Sequence, residues 1–133
     1  MNLVRTADLL EKCIASLLAD FDLSPASGLV LSILADSDTP LAPNVIADHL
    51  IISRASVTSL LDSLEKRGYV SRRPHPSDRR MIWVEPTELG RKIADAFRPV
   101  VHRHQKAWLG VLSEEEQEHL LDMLKRLQPA LLG

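Results

Sequence analysis

The feature that most constrains this chain is an interruption. Apolar residues recur at spacings of three and four along most of its length, and the pattern gives way over residues 69–85, around Pro74-His75-Pro76-Ser77-Asp78-Arg79-Arg80. Leu3, Ala7, Leu10, Ile14 and Leu17 form one helical stripe near the start, and Leu120, Leu124, Leu127 and Leu131 form another near the end. On either side of the proline-rich run, residues 69–73 and 81–85 read as short strands joined by a turn. A chain so patterned is mainly α-helical with one small hairpin. Aromatics are only 4% of the residues, so its core has to be built from Leu, Ile, Val and Ala. At 133 residues it is a single domain that needs neither disulfides nor metals for stability.

Capping residues set the boundaries. Ser24-Pro25 pairs an N-cap with a proline at the first helical position, so a second helix is expected over 24 to about 35, burying Leu29, Val30, Ile33 and Leu34. Pro43 opens a short third helix that should carry Val45, Ile46 and Leu50 inward. Ser53 caps a fourth, which closes at Gly68 and buries Val57, Leu60, Leu61 and Leu64. Thr87 should cap a long helix reaching about residue 112, with Ile93, Phe97, Val100, His104, Ala107 and Val111 on one face. Pro99 lies inside it and should bend it or start a new segment. Ser113-Glu114-Glu115-Glu116 is a capping box that opens the last helix.

The formal net charge of −2 argues against a nucleic-acid binder only until it is divided along the chain. Residues 53–80 hold seven basic and three acidic side chains, a surplus of four positive charges. The remainder holds nine basic and fifteen acidic side chains, a deficit of six. Such asymmetry reads either as a solvated charged face or as an anion-binding stripe on an acidic body. The surrounding pattern favours the stripe. Three helices followed by a basic hairpin describe a winged helix-turn-helix. The fourth helix leaves Arg54, Ser56, Thr58, Ser59 and Asp62 outward, a face of mostly small polar groups able to seat in a major groove. Ser53, Arg54, Ser56, Thr58 and Ser59 are candidate contacts to phosphates or base edges, and Arg72, Arg73, Arg79 and Arg80 are candidates on the hairpin.

Other chemistry finds little support. There is no glycine-rich phosphate loop, paired-carboxylate site or nucleophile–base constellation, so neither an enzyme nor a bound cofactor is expected. The single cysteine excludes an intramolecular disulfide, and no apolar run is long enough for a membrane span. The N-terminus lacks a leader pattern, which points to a cytoplasmic protein without membrane partners.

An ordered set of motifs now carries a resemblance. Leu23-Ser24-Pro25, Pro40-Leu41-Ala42, Ile46-Ala47-Asp48-His49-Leu50, Ser53-Arg54-Ala55-Ser56-Val57-Thr58 and Leu61-Asp62-Ser63-Leu64-Glu65-Lys66-Arg67-Gly68-Tyr69-Val70 resemble the MarR family of winged helix-turn-helix regulators. So do Arg72-Arg73-Pro74, Ser77-Asp78-Arg79-Arg80, Thr87-Glu88-Leu89-Gly90 and Leu112-Ser113-Glu114-Glu115-Glu116. Each motif is weak alone, but their order over residues 23–116 is specific. The resemblance implies one family-type domain over 1–133, with a DNA-binding lobe over 24–86 and dimerisation helices over 1–23 and 87–133. It implies a homodimer on a palindromic double-stranded DNA operator, acting as a repressor and released by a small aromatic or anionic effector. By the same match the helix over 53–67 enters the major groove, Arg80 is the minor-groove arginine and Asp78 orients it. Three positions depart from the family pattern: Ile51 stands where the turn often has Gly, Ser59 where Arg is frequent, and Pro86 where an aliphatic residue is usual.

Several residues admit two readings. Cys13 is either a small hydrophobe or the thiol of a redox-responsive regulator. His102 and His104, two apart on a helix, point to different faces and make a poor metal pair, so no metal site is expected. His104, on the apolar stripe, is either an interface histidine or a group that orients an effector. Trp83 is expected to pack on the recognition helix or an arginine stem, and Phe97 and Trp108 to belong to a dimer core. A winged helix that only binds other proteins is the alternative from a different class, and it predicts no salt-dependent DNA affinity.

Overall fold

The computed structural model describes residues 1–50 and 52–133. Ile51, the departure expected to shape the turn after the third helix, lies outside the described residues. The elements run α1 (Asn2–Ala19), α2 (Pro25–Asp36), α3 (Pro43–Leu50), α4 (Arg54–Lys66), β1 (Val70–Pro74), β2 (Ile82–Pro86), α5 (Glu88–Leu109) and α6 (Glu114–Leu132). This is the mainly helical fold with a two-stranded wing that the spacings call for. Two compact units divide it, Met1–Val101 and His102–Gly133.

In the first unit, the core collects one row from each element. Leu18, Leu23, Val30, Leu31, Leu34, Ile46, Val57, Leu61, Leu64, Val70, Val84, Ala94 and Phe97 are all buried. Each large aliphatic side chain so placed contributes about 1.5–3 kcal/mol relative to exposure. Helix starts follow the predicted local chemistry. Ser24 Oγ accepts from Ser27 N–H at 3.1 Å with Pro25 in the first turn, and Ser53 Oγ accepts from Ser56 N–H at 3.1 Å. Gly68 ends the turn after α4 with φ +78°, a left-handed conformation that glycine adopts without steric cost. Thr87 Oγ1 accepts from Gly90 N–H at 3.1 Å and donates to the Gly68 carbonyl, tying the start of α5 to the end of α4.

The strands pair antiparallel with Val70 opposite Pro86, Arg72 opposite Val84 and Pro74 opposite Ile82. Leu41 adds a third, single-residue rung, exchanging backbone bonds of 2.9 and 2.8 Å with Val84. The wing is thereby sewn to the segment ahead of α3.

Several burial expectations are corrected. Leu29 is 50% exposed, and Leu31 takes its place in the core. Val45 is exposed where Ala47 is buried. On α5 the buried residues are Gly90, Ala94 and Phe97. Phe97 lies in this chain's own core, edge-on to Phe21 with centroids 6.1 Å apart, and is therefore unavailable as a dimer contact. Helix α5 ends at Leu109, so Val111 lies beyond it and is 86% exposed. Pro99 sits inside α5 without dividing it.

In the second unit, the capping box forms in both directions. Ser113 Oγ accepts from Glu116 N–H at 3.1 Å, and Glu116 Oε1 accepts from Ser113 N–H at 2.9 Å. Gln117 Nε2 donates to the carbonyls of Leu109 and Leu112 at 2.9 and 3.1 Å, closing the turn between the helices. Leu109, Leu120, Leu121 and Leu124 line an open groove rimmed by Glu114 and Glu118. No residue of α6 is buried.

Candidate nucleic-acid interface

Helix α4 turns Val57, Leu61 and Leu64 into the core, and the remaining positions follow from that rotation. Arg54, Ser56, Thr58, Ser59 and Asp62 are exposed, as is the cap Ser53. The hydroxyls on this face are not equivalent. Ser53 and Ser56 share a hydrogen bond of 2.9 Å between their Oγ atoms besides the cap bond. Thr58 Oγ1 donates to the Arg54 carbonyl at 3.0 Å. Arg54 and Ser59 are the candidates here whose side chains have no protein partner among the described hydrogen bonds and ion pairs.

The wing arginines fall into three environments. Arg80 is 95% exposed at the tip, where Asp78 Oδ1 accepts its backbone N–H at 3.0 Å and stands 3.8 Å from its Nε. Arg79 beside it is also exposed. Arg73 pairs through Nε with Glu85 Oε1 at 3.2 Å and remains half-exposed. Arg72 is different, its side chain only 24% exposed. Its Nη2 lies 2.7 Å from Asp62 Oδ1 and 2.9 Å from Glu65 Oε1, while Nε and the backbone N–H donate to Glu65 Oε2 at 3.3 and 3.2 Å. The hydrogen bond from the Arg72 side chain holds Glu65 below the usual glutamate range, and bonding to Glu65 and then Asp62 raises Arg72.

His75 organises the tip in a way the sequence reading missed. Its Nδ1 accepts the backbone N–H groups of Ser77 at 2.9 Å and Asp78 at 3.1 Å, and its ring stacks on Trp83 at 4.5 Å and 32°. Trp83 thus packs on the wing's own loop, and the strand register sets it directly opposite Arg73. The only forewarning was a histidine and a tryptophan on opposite arms of one hairpin. A second missed contact lies behind α4. Arg67 donates to the Asp22 carbonyl, pairs with its carboxylate at 3.5 Å and lies 4.8 Å from the centroid of the Tyr69 ring.

The remaining candidates lie elsewhere. Cys13 is exposed on α1 in the single chain. His104 is exposed on α5, its ring 6.0 Å from that of Trp108. No group of metal-ligating side chains gathers among the described residues. No helix of the described residues is long and apolar enough to cross a membrane.

Comparison with known proteins converges on one family. A family model described as the MarR family matches residues 21–81. The transcriptional regulator PecS of Dickeya dadantii is 30% identical over 99% of this chain and 81% of its own length. The transcriptional repressor YetL of Bacillus subtilis is 34% identical over 77% of this chain, and the match spans 62% of YetL. Among solved structures, the MepR–DNA complex of S. aureus is 25% identical with a TM-score of 0.89, covering 97% of this chain and 96% of MepR. The family is one of regulators, not enzymes. With its helix-turn-helix, exposed polar helix face and basic wing, the chain belongs to the MarR family of DNA-binding winged helix-turn-helix transcription regulators.

Proposed function

We propose that this protein acts as a homodimeric repressor on a palindromic operator and is released by a small aromatic or anionic effector. The observation that carries the reading is the pairing of two exposed features on one basic segment: the outward face of α4 and the Asp78–Arg80 tip of the wing. Helix α4 enters the major groove, where Arg54 and Ser59 reach phosphates or base edges and Ser53, Ser56 and Thr58 keep the surface low enough for close approach. Arg79 and Arg80 follow the minor groove, with Asp78 fixing the backbone from which Arg80 projects. Arg73 adds a cation on the same strand. Repression is supported by the likeness to the repressor YetL, and DNA engagement by the likeness to the MepR–DNA complex.

The homodimer is supported by apolar side chains that this chain leaves exposed on the elements outside the 24–86 lobe. Leu3, Val4 and Leu10 of α1 and Leu121, Leu127, Leu131 and Leu132 of α6 are all exposed. Two chains that cover these rows remove them from water, and a two-fold dimer presents two recognition helices about 34 Å apart, one turn of the double helix. An effector, with His104 as a contact, shifts the dimer only so far as it binds the released state better than the DNA-bound one.

Fluorescence anisotropy with DNA from beside the protein's own gene tests this reading. Affinity should fall steeply with salt, with a log–log slope of about −0.9 for each phosphate neutralised. An affinity indifferent to salt, or equal for scrambled DNA, would refute it.

A further inference from the structure

We propose that Arg72 is a positioning residue, a clamp that locks the wing to the recognition helix rather than a contact to phosphate. The inference rests on the reading of α4 and the wing as the DNA-binding surface. Asp62 and Glu65, three residues apart, lie on the same side of α4, so their carboxylates can meet one guanidinium. Arg72 answers both, and Glu65 also accepts its backbone N–H, so one carboxylate holds the strand's main chain as well as its side chain. On β1, Arg72 shares a face with Val70, which is buried in the core beneath α4, while Arg73 points the other way toward Glu85. A phosphate would have to displace these bonds to capture Arg72, whereas Arg79 and Arg80 need displace no such network.

The charges explain why a clamp is needed here. Asp62 and Glu65 are two carboxylates on a helix that approaches a polyanion. Left free, they repel phosphates. Bound to Arg72, they instead become the anchor that sets the wing's angle to the helix, and with it the distance between the Arg80 tip and the major-groove face.

The two roles predict opposite signs for one experiment. The double variant Asp62→Asn/Glu65→Gln removes two negative charges and frees Arg72. If Arg72 is a phosphate contact, operator affinity should rise; if it is a clamp, affinity should fall, by about fivefold or more. Arg72→Lys keeps the charge but not the forked geometry, so a clamp predicts a similar loss where a phosphate contact predicts little. Arg72→Gln should weaken binding with the salt slope unchanged, since no phosphate loses its partner. Circular dichroism melts establish whether each variant is folded, and hydrogen exchange at residues 75–81 should quicken only where the clamp is broken. Tighter binding by the double variant, or full retention of affinity by Arg72→Lys, would overturn the clamp and leave the regulator reading standing. A wild-type protein without salt-dependent DNA binding would overturn both.

Discussion

A Cβ built on Gly90 would lie 2.0 Å from the carbonyl oxygen of Tyr69. The first turn of α5 presses directly onto the backbone entering the wing, where the same carbonyl accepts the Thr87 N–H at 3.0 Å. Backbone cannot yield as a side-chain tip can. Gly90→Ala should therefore destabilise the fold by about 1–3 kcal/mol or more, despite alanine's higher helix propensity. Urea unfolding followed by circular dichroism measures it, and a neutral or stabilising result would deny the close approach.

Arg80→Ala should weaken operator binding by about 1–3 kcal/mol and leave the melting temperature unchanged, because its side chain is almost wholly in solvent. Asp78→Asn should have a smaller effect, since an amide oxygen can still accept the Arg80 N–H. Anisotropy titrations of both variants at one salt concentration make the comparison. Equal affinity of Arg80→Ala and wild type would remove the wing tip from the interface.

Ser53 serves the fold and faces the proposed partner. Ser53→Ala should cost about 1 kcal/mol of stability through loss of the N-cap. Ser53→Asp should keep the cap and place an anion favourably at the helix start, so stability is retained. Its carboxylate would nevertheless face DNA phosphates, so affinity should drop. Parallel melts and binding curves separate the two effects, and undiminished binding by Ser53→Asp would place the start of α4 away from the DNA.

The capping box of α6 carries a pH signature. Glu116 is held below the ordinary glutamate value of 4.5, first by the Ser113 backbone N–H and then by the Ser113 side chain. A carboxylate lowered on folding stabilises the native state above its unfolded value, and that contribution disappears as pH falls through the lowered one. Glu116→Gln can keep the hydrogen bond but has no proton to gain. The stability advantage of wild type over Glu116→Gln should thus be present at neutral pH and vanish as pH is taken well below 4.5. A pH-independent difference would contradict the bond.

His75→Ala should open the wing tip without unfolding the lobe, since it removes the acceptor for Ser77 and Asp78 N–H and the ring against Trp83. Amide exchange at Ser77 and Asp78 should accelerate, and Trp83 emission should shift to the red. Unchanged exchange at both amides would count against the turn described.

How much of this was legible beforehand depends on how far apart the partners are. Ser24, Ser53 and Ser113 cap helices through the N–H three residues on, an interaction contained in the sequence window that predicts it. The hairpin, the break at Gly68 and the core row Val57, Leu61 and Leu64 were readable for the same reason, and the outward face of α4 followed from that row. Periodicity alone did less well for α2 and α3. It finds a stripe, but the rotation of a short helix about its axis is decided by what packs on it, which is why Leu31 and Ala47 are buried where Leu29 and Val45 were expected.

Contacts between distant positions needed the folded chain. Nothing local pairs Leu41 with Val84, Phe21 with Phe97, or the bare α-carbon of Gly90 with the Tyr69 carbonyl. Arg72 is the most instructive case. By composition it was one more cation in a basic segment, of the same kind as Arg79 and Arg80. Only the crossing of β1 over α4 brings two carboxylates within reach of its guanidinium, and charge counting along a chain cannot register a neutralisation that happens across space. Local chemistry thus determined the elements and their exposed faces. Tertiary packing decided which of the basic groups stayed free to meet a partner.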